Sequence, residues 1–250
     1  GTLRDACLLA LCGRVHYYEG YAMQQVAFPI RVIAALDVKT VIITNSVGAF
    51  KAAYKPGDIV AIRDRALEMA ERAAGLSEDD PLILSVLGVV HTFARNHGTA
   101  RILLERALAL DPNSAWALSR LGWLEVYADR PAAAFGHFEH AMRLSPLDPM
   151  NFNNLVGIAS AHQISDDFDA ASNLFQRALM ERPNAFWIHR NLAPVLLAAG
   201  RVEEAEVSKA EMLKAYPDLT IKRYKEAMVF SPQALEDIAI YMRKLGVPEK

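Results

Sequence analysis

Two short stretches near the start of the chain carry residue types that can hold an anion. Residues 13–21 read Gly-Arg-Val-His-Tyr-Tyr-Glu-Gly-Tyr, and roughly two dozen residues later 44–49 read Thr-Asn-Ser-Val-Gly-Ala, followed by Lys55, Pro56, Gly57 and Asp58. Arg14 is a forked donor suited to the oxygens of a phosphate. The second stretch closes a β-branched run in small residues, and a strand that ends in such a turn exposes its amides to an anion. Phosphate binding is the chemistry these residues permit.

Positioning them calls for an α/β arrangement. Helical periodicity is absent between Asp5 and Asp64. Ala6 to Leu11 is a short apolar run, and 26–36 forms a helix candidate entered at Pro29. Residues 39–44 (Lys-Thr-Val-Ile-Ile-Thr) read as a buried strand, and 59–62 as another after the turn at Pro56, Gly57 and Asp58. Strand, helix, strand, strand is an α/β fragment with a parallel pair.

In order and separation the two stretches resemble the trimeric purine nucleoside phosphorylase and methylthioadenosine phosphorylase family. The resemblance implies that Arg14 and His16 contact phosphate, Tyr18 the sugar, Glu19 a phosphate or ribose hydroxyl, and the Ser46 amide a phosphate oxygen. It also implies further strands, an earlier glycine-rich phosphate loop and a later half that holds the purine. After Asp64 nothing resembles that remainder. Phosphorolysis needs the nucleophile in line and the leaving purine stabilised together, so half of the site is not expected to turn over.

From about Leu82 to Pro217 the text changes and one pattern recurs. Gly88 and Gly122 lie 34 residues apart, as do Ala100 and Ala134, Leu104 and Phe138, Ala107 and Ala141, Pro112 and Pro146. A third copy follows after 37 residues with Ala171, Phe175, Ala178 and Pro183, and a fourth returns to 34 with Ala205 and Pro217. First-helix pairs are Leu87-Gly88 and Leu121-Gly122, then Leu155-Val156 with its glycine one place late, then Leu192-Ala193. The alanines mark helices that approach within a methyl of each other, and the prolines mark helix ends. This pattern resembles the tetratricopeptide repeat and implies a mainly α-helical solenoid, preceded by a short incomplete α/β fragment. Ala66 and Ala73 are in phase with Ala100 and Ala107, so 65–76 reads as the second helix of an earlier repeat. Its first helix is replaced by the helix-breaking Lys55, Pro56, Gly57 and Asp58. A phosphorylase-like fragment over 1–64, repeats over 65–217 and capping helices over 218–250 are therefore expected, joined as in a fusion. With its sheet incomplete and edges such as 41–43 unpaired, the 1–60 segment is expected to be the least stable part.

Past the repeats, 221–228 starts a helix with Lys222, Arg223 and Lys225 on its wet side. Pro232 to Leu245 forms a last one, with Leu235, Ile238, Ala239 and Met242 at helical spacing and Gly246 closing it. This block reads as a solvating cap. The stretch 108–248 also resembles the repeats that follow class III adenylate or guanylate cyclase domains, on the text at 109–117, 144–149 and 246–249.

The groove of such an array can clamp a peptide through polar residues on successive first helices. Asn153, Asn154, Arg190 and Asn191 are candidates, whereas the first two repeats offer Ser85, Val89, Ser119 and Trp123, which favours an apolar peptide or an intramolecular partner. His137 and His140 lack further ligands at metal spacing and read as a solvated face, and Asp166, Asp167 and Asp169 as a polar turn. No metal or cofactor is expected. The 250 residues are 52% hydrophobic with a formal charge of −2, which provides a core but no electrostatic reason to expect nucleic acid or an anionic membrane. Cys7 and Cys12 are too few for a disulfide framework and, with no signal peptide or apolar run of spanning length in the text, suggest a cytoplasmic protein with reduced cysteines.

Overall fold

The computed structural model describes residues 2–3, 6–7 and 79–250. The chain divides into two units, Gly1–Gly48 and Ala49–Lys250, and each is taken by itself. In the first, strands β1 (Thr2–Leu3) and β2 (Ala6–Cys7) pair antiparallel, with Thr2 opposite Cys7 and Leu3 opposite Ala6. The other strands and the helix expected before Asp64, both phosphate motifs and the helix expected over 65–76 lie outside the described residues.

The second unit is built of helical hairpins. They are α1 (Pro81–Phe93) with α2 (His97–Leu110), α3 (Ala115–Tyr127) with α4 (Pro131–Leu144), and α5 (Asn151–Ile164) with α6 (Phe168–Glu181). The last is α7 (His189–Ala198), entered through a 3-10 turn at Phe186–Ile188, with α8 (Val202–Ala215). Two further helices follow, α9 (Ile221–Ala227) and α10 (Pro232–Lys244). Within each hairpin the two helices lie against each other, and each second helix packs on the first helix of the next repeat. First helices also touch one another, α1 with α3 and α3 with α5, so the stack curves with first helices on its inner side.

The periodic residues are the packing residues. Ala100, Ala134, Ala171 and Ala205 are all fully buried, as are Leu104, Phe138 and Phe175. A Cβ added at Gly88 would lie 2.6 Å from Leu104 Cγ, and one at Gly122 would lie 2.9 Å from the Phe138 ring. These glycines therefore set the approach within their own hairpins. Gly157, one place out of phase, does something different: its added Cβ would sit 2.2 Å from Phe138 Cζ, across the junction between α4 and α5.

The ends follow the same phase. Each first helix closes with one residue in the left-handed region, Arg95, Asp129, Asp166 and Gly200, at φ of 64°, 61°, 59° and 75°. The next amide reaches back five residues, as in Asn96 to the His91 carbonyl and Arg130 to the Glu125 carbonyl, which pairs carbonyls that the helix end leaves free. Asp167, in the polar turn, accepts from the Ala170 amide and caps α6. Second helices stop at Asp111, Ser145, Arg182 and Tyr216, each extended before a proline as that residue demands.

One buried charge cluster was not legible beforehand. Glu125, fully buried on α3, is ion-paired with Arg101 of α2 and lies 2.8 Å from Arg130 Nε in the turn after it. The pair ties the second helix of one repeat to the first helix of the next, and removal of the carboxylate would strand two guanidinium groups.

Gly157→Ala is expected to lower unfolding free energy by about 1–3 kcal/mol, since the rigid Phe138 ring has to move. Gly136→Ala, on α4 with nothing within 4 Å of the added carbon, is expected to raise it by about 0.5–1 kcal/mol through helix propensity. Urea denaturation of the two variants checks the contrast.

Candidate functional site: the inner face of the repeats

The inner face is built from the two positions that precede each Leu-Gly pair or its equivalent. Residues Ser85, Ser119, Asn153 and Arg190 share one phase, and Val86, Arg120, Asn154 and Asn191 the next. Alignment of successive first helices places these side chains beside one another. Among them the structure finds a lateral network. Ser119 Oγ donates to Asn154 Oδ1 at 2.6 Å, and Asn154 Nδ2 to Asn151 Oδ1 at 3.0 Å. Asn153 Oδ1 accepts from Trp123 Nε1 at 2.8 Å and from Arg120 at 3.2 Å. Ser85, buried on α1, donates to the Pro81 carbonyl. Most of the polar residues expected to meet a peptide are thus hydrogen-bonded across the α3–α5 junction or within their own helix, and Trp123 is buried.

Arg190 and Asn191 behave otherwise. The Arg190 guanidinium stacks over Tyr216 and Tyr224, 5.8 and 5.9 Å from the ring centroids, a cation–π arrangement. Among the described residues no ion pair involves Arg190 or Arg120. Arg190 Nε, Arg120 Nε, Asn191 Oδ1 and Tyr224 Oη are buried without a hydrogen-bond partner. Burial pushes the Tyr127 hydroxyl up to about 12, with Arg120 and Arg190 pulling the other way, and it pushes the Tyr224 hydroxyl upward as well. Both tyrosines stay neutral and act as hydroxyl groups. The same desolvation lowers the Arg120 guanidinium from its ordinary value, opposed by Tyr127.

What covers this face is the end of the chain. Expected only to cap the last repeat, the segment after Pro217 turns back along the inner side. Tyr224 is 1% exposed and Phe230 equally so. The Phe230 ring meets Tyr127 of α3 edge-on at 5.1 Å, and α10 packs on α7 through the apolar stripe of Leu235, Ile238, Ala239 and Met242, all buried. Arg95, the left-handed residue after α1, donates to the Met228 carbonyl at 2.7 Å, so a segment joined to the fourth repeat is held by the first. The chain's last residues hold it from outside, with the Ile221 amide donating to the Pro248 carbonyl at 2.9 Å. Between α10 and the ends of α3, α5 and α7 remains a cavity of about 180 Å³ lined by Gln163, Phe168, Pro194, Gln233 and Tyr241 among others. The longer third repeat contributes Gln163 and Ile164 to it. Arg95, Tyr127, Tyr224 and Phe230 were not marked by the repeat pattern. Their one sequence signal is a pair of large aromatic residues just past the last repeat, where solvating caps are polar.

Among the described residues no group of three metal-binding side chains is found, and no helix is long and apolar enough to cross a membrane. Arg14, His16, Tyr18, Glu19 and Ser46 lie outside the described residues.

Residues 1–113 match the family model described as Phosphorylase superfamily, and residues 164–228 the model described as Tetratricopeptide repeat. The chain joins a phosphorylase fragment to tetratricopeptide repeats. Over 64 residues it is 44% identical to Purine nucleoside phosphorylase 1 of Bacillus subtilis, which covers 26% of this chain and 24% of that protein. The Mus musculus purine nucleoside phosphorylase is 42% identical over 64 residues, 26% of this chain and 22% of that one. The chain therefore spans about a quarter of the length of these relatives. Among solved structures it is similar to PilW, described as a widely conserved type IV pilus biogenesis factor. The TM-score there is 0.58 at 18% identity, covering 76% of this chain and 88% of that one. Against the Cut9-Hcn1 complex of the APC/C the TM-score is 0.58 at 22% identity, covering 68% and 33%. These likenesses agree with the helical solenoid. The repeat array is a protein-interaction module, and the phosphorylase-like part in front of it is a partial fragment. The phosphorylase match to residue 113 overlaps α1 and α2, which pack as a repeat hairpin.

His189, which opens α7 beside Arg190, is part-buried with Nδ1 2.9 Å from Ser208 Oγ. Burial lowers its pKa, and Glu211 opposes this weakly. The unfolded chain then binds the proton more readily than the folded one, so the stabilisation is present above the ordinary histidine pKa and is lost as pH falls below it. Thermal stability is expected to drop between pH 7.5 and pH 5, and His189→Gln to flatten that slope. Melting curves across the range read both.

Proposed function

We propose that the chain presents the inner face of its repeats to a protein or peptide partner and has no catalysis of its own. The observation that supports this most is the inner face itself. It already takes the folded-back helices of 221–244, which meet Arg95 after α1, Tyr127 of α3 and the face of α7 that carries Arg190. A surface that accommodates helices of its own chain offers side-chain pockets for a segment of a partner. The seam with the phosphorylase-like fragment lies near residue 64 in this reading, and the protein works in the cytoplasm with its two cysteines reduced.

The reading has a direct test. Trp116, 42% exposed on α3 with Arg120 above its ring, lies at the rim of the inner face, while Ile102, 67% exposed, lies on the second helix α2. A photo-crosslinking residue at position 116 is expected to capture a discrete polypeptide in an extract of the source cells, and the same residue at 102 to capture none. Equal capture at both positions overturns the inner face as the contact surface.

A second reading is favoured by the 64-residue likeness to purine nucleoside phosphorylases. In it, Arg14, His16, Tyr18, Glu19 and Ser46 hold phosphate and ribose, and the chain cleaves the N-glycosidic bond of purine nucleosides with phosphate. We expect no phosphate-dependent release of purine from inosine, guanosine or methylthioadenosine, because one arm of a site supplies neither alignment nor leaving-group stabilisation. Turnover abolished by His16→Ala would replace the first reading with the second.

A further inference from the structure

The fold-back segment fits the inner face in its apolar part and misfits it in its polar part. Tyr224 and Phe230 fill space beside Tyr127 and α7 and are almost wholly buried. Around them, four buried polar atoms go without partners: Arg120 Nε, Arg190 Nε, Asn191 Oδ1 and Tyr224 Oη. Three can donate, and the fourth, Oδ1 of the 2% exposed Asn191, is an acceptor. Both arginines are half-buried, and Arg120 also donates to Ser119 and Asn153, but neither is paired with a carboxylate, and a tyrosine hydroxyl does not compensate a cation whose Nε is out of water as an anion does. Between α2 and α3, by contrast, a buried carboxylate is present, and Glu125 is ion-paired with Arg101 and Arg130.

We propose that residues 219–232 occupy the site of a partner segment in which an acidic side chain stands beside an aromatic or large apolar one, and that such a segment displaces them. The acidic group pairs with Arg190, and the ring takes the place of Phe230. This rests on the inner-face reading above and gives it a ligand class and a control. The resident segment is suited to release. Helix α9 has seven residues, too few to hold as a helix by itself, and its tie to the first repeat runs through one exposed arginine, Arg95, onto main-chain carbonyls. Displacement brings Glu226 Oε2 of α9, buried without a hydrogen-bond partner, out to water and replaces an unmatched hydroxyl beside Arg190 by a matched anion. Because the resident segment is tethered, it competes at the effective concentration of an intramolecular ligand, so the partner is favoured only where the added charge pairing outweighs that advantage.

The experiment uses the full chain with Arg95→Ala, an exposed substitution that loosens the tether, and two fluorescent peptides read by anisotropy. One peptide has the sequence of residues 219–232 and the other the same sequence with Tyr224→Glu. The acidic peptide is expected to bind at least tenfold more tightly, and Arg190→Leu in the chain to remove the difference while leaving weaker binding of both. Hydrogen exchange of wild-type chain with the acidic peptide reads the same event without any substitution in the protein: amides of α9 lose protection and those of α4 keep it. Equal binding of the two peptides overturns the acidic preference and leaves the inner-face reading standing. Absence of binding by either, with α9 amides as protected as those of α4, makes the segment permanent core and overturns both.

Discussion

One aromatic ring holds the register of the array. Phe138 on α4 is fully buried between two glycines, Gly122 of its own hairpin and Gly157 of the next, each so close that a methyl at either would meet the ring inside 3 Å. Packing at interior density leaves no slack on either side, so the angle between the second and third repeats is fixed by where that ring can lie. From this follows the alignment of α3 with α5, and from that alignment the network of Ser119, Asn153, Asn154, Arg120 and Trp123 across the junction. Loss of the fit at Phe138 would therefore loosen polar contacts that never touch it.

The repeated part of the fold was legible because its constraint is local and recurs. Wherever two helices of a hairpin approach, the residue must be alanine or glycine, and wherever the unit ends a proline closes it. The alanines and large apolar residues identified by spacing, from Ala100 to Ala205, are buried. The late glycine in the third repeat was visible as an irregularity. Its purpose was not, because contact with Phe138 belongs to the junction between repeats and carries no spacing rule of its own.

The site was less legible, for a related reason. Polar residues on the first helices were identifiable as an inner-face set, yet a sequence does not say whether such groups face a guest or one another. Asn153 and Asn154 turned out to serve the neighbouring helix, and Arg190 and Asn191 to face the segment that folds back. That fold-back depends on pairs separated by a hundred residues or more, Arg95 with Met228 and Tyr127 with Phe230, and no periodicity links them. The phosphorylase-like motifs stand at the opposite extreme. They were recognisable from two short stretches, and the match to known phosphorylases extends over about a quarter of those proteins, so recognition of ancestry there went further than any derivation of activity can.

Apart from Gly157, which serves the junction at Phe138, two departures from the repeat rule lie on one face. The left-handed turn residue is Asp129, Asp166 and Gly200 in three repeats but Arg95 in the first, a choice that gains nothing for the turn, since a non-glycine residue there costs about 1 kcal/mol. Its guanidinium reaches the carbonyls at the end of α9. The inner-face phase holds Ser85 and Ser119 early in the array and Arg190 at its end, and Arg190 is the residue under Tyr224. Local rules broken in a sequence that otherwise keeps them mark places where another requirement took precedence. Here the two broken positions, Arg95 and Arg190, both contact the same segment of the chain, so its hold on the inner face is the requirement that accounts for both.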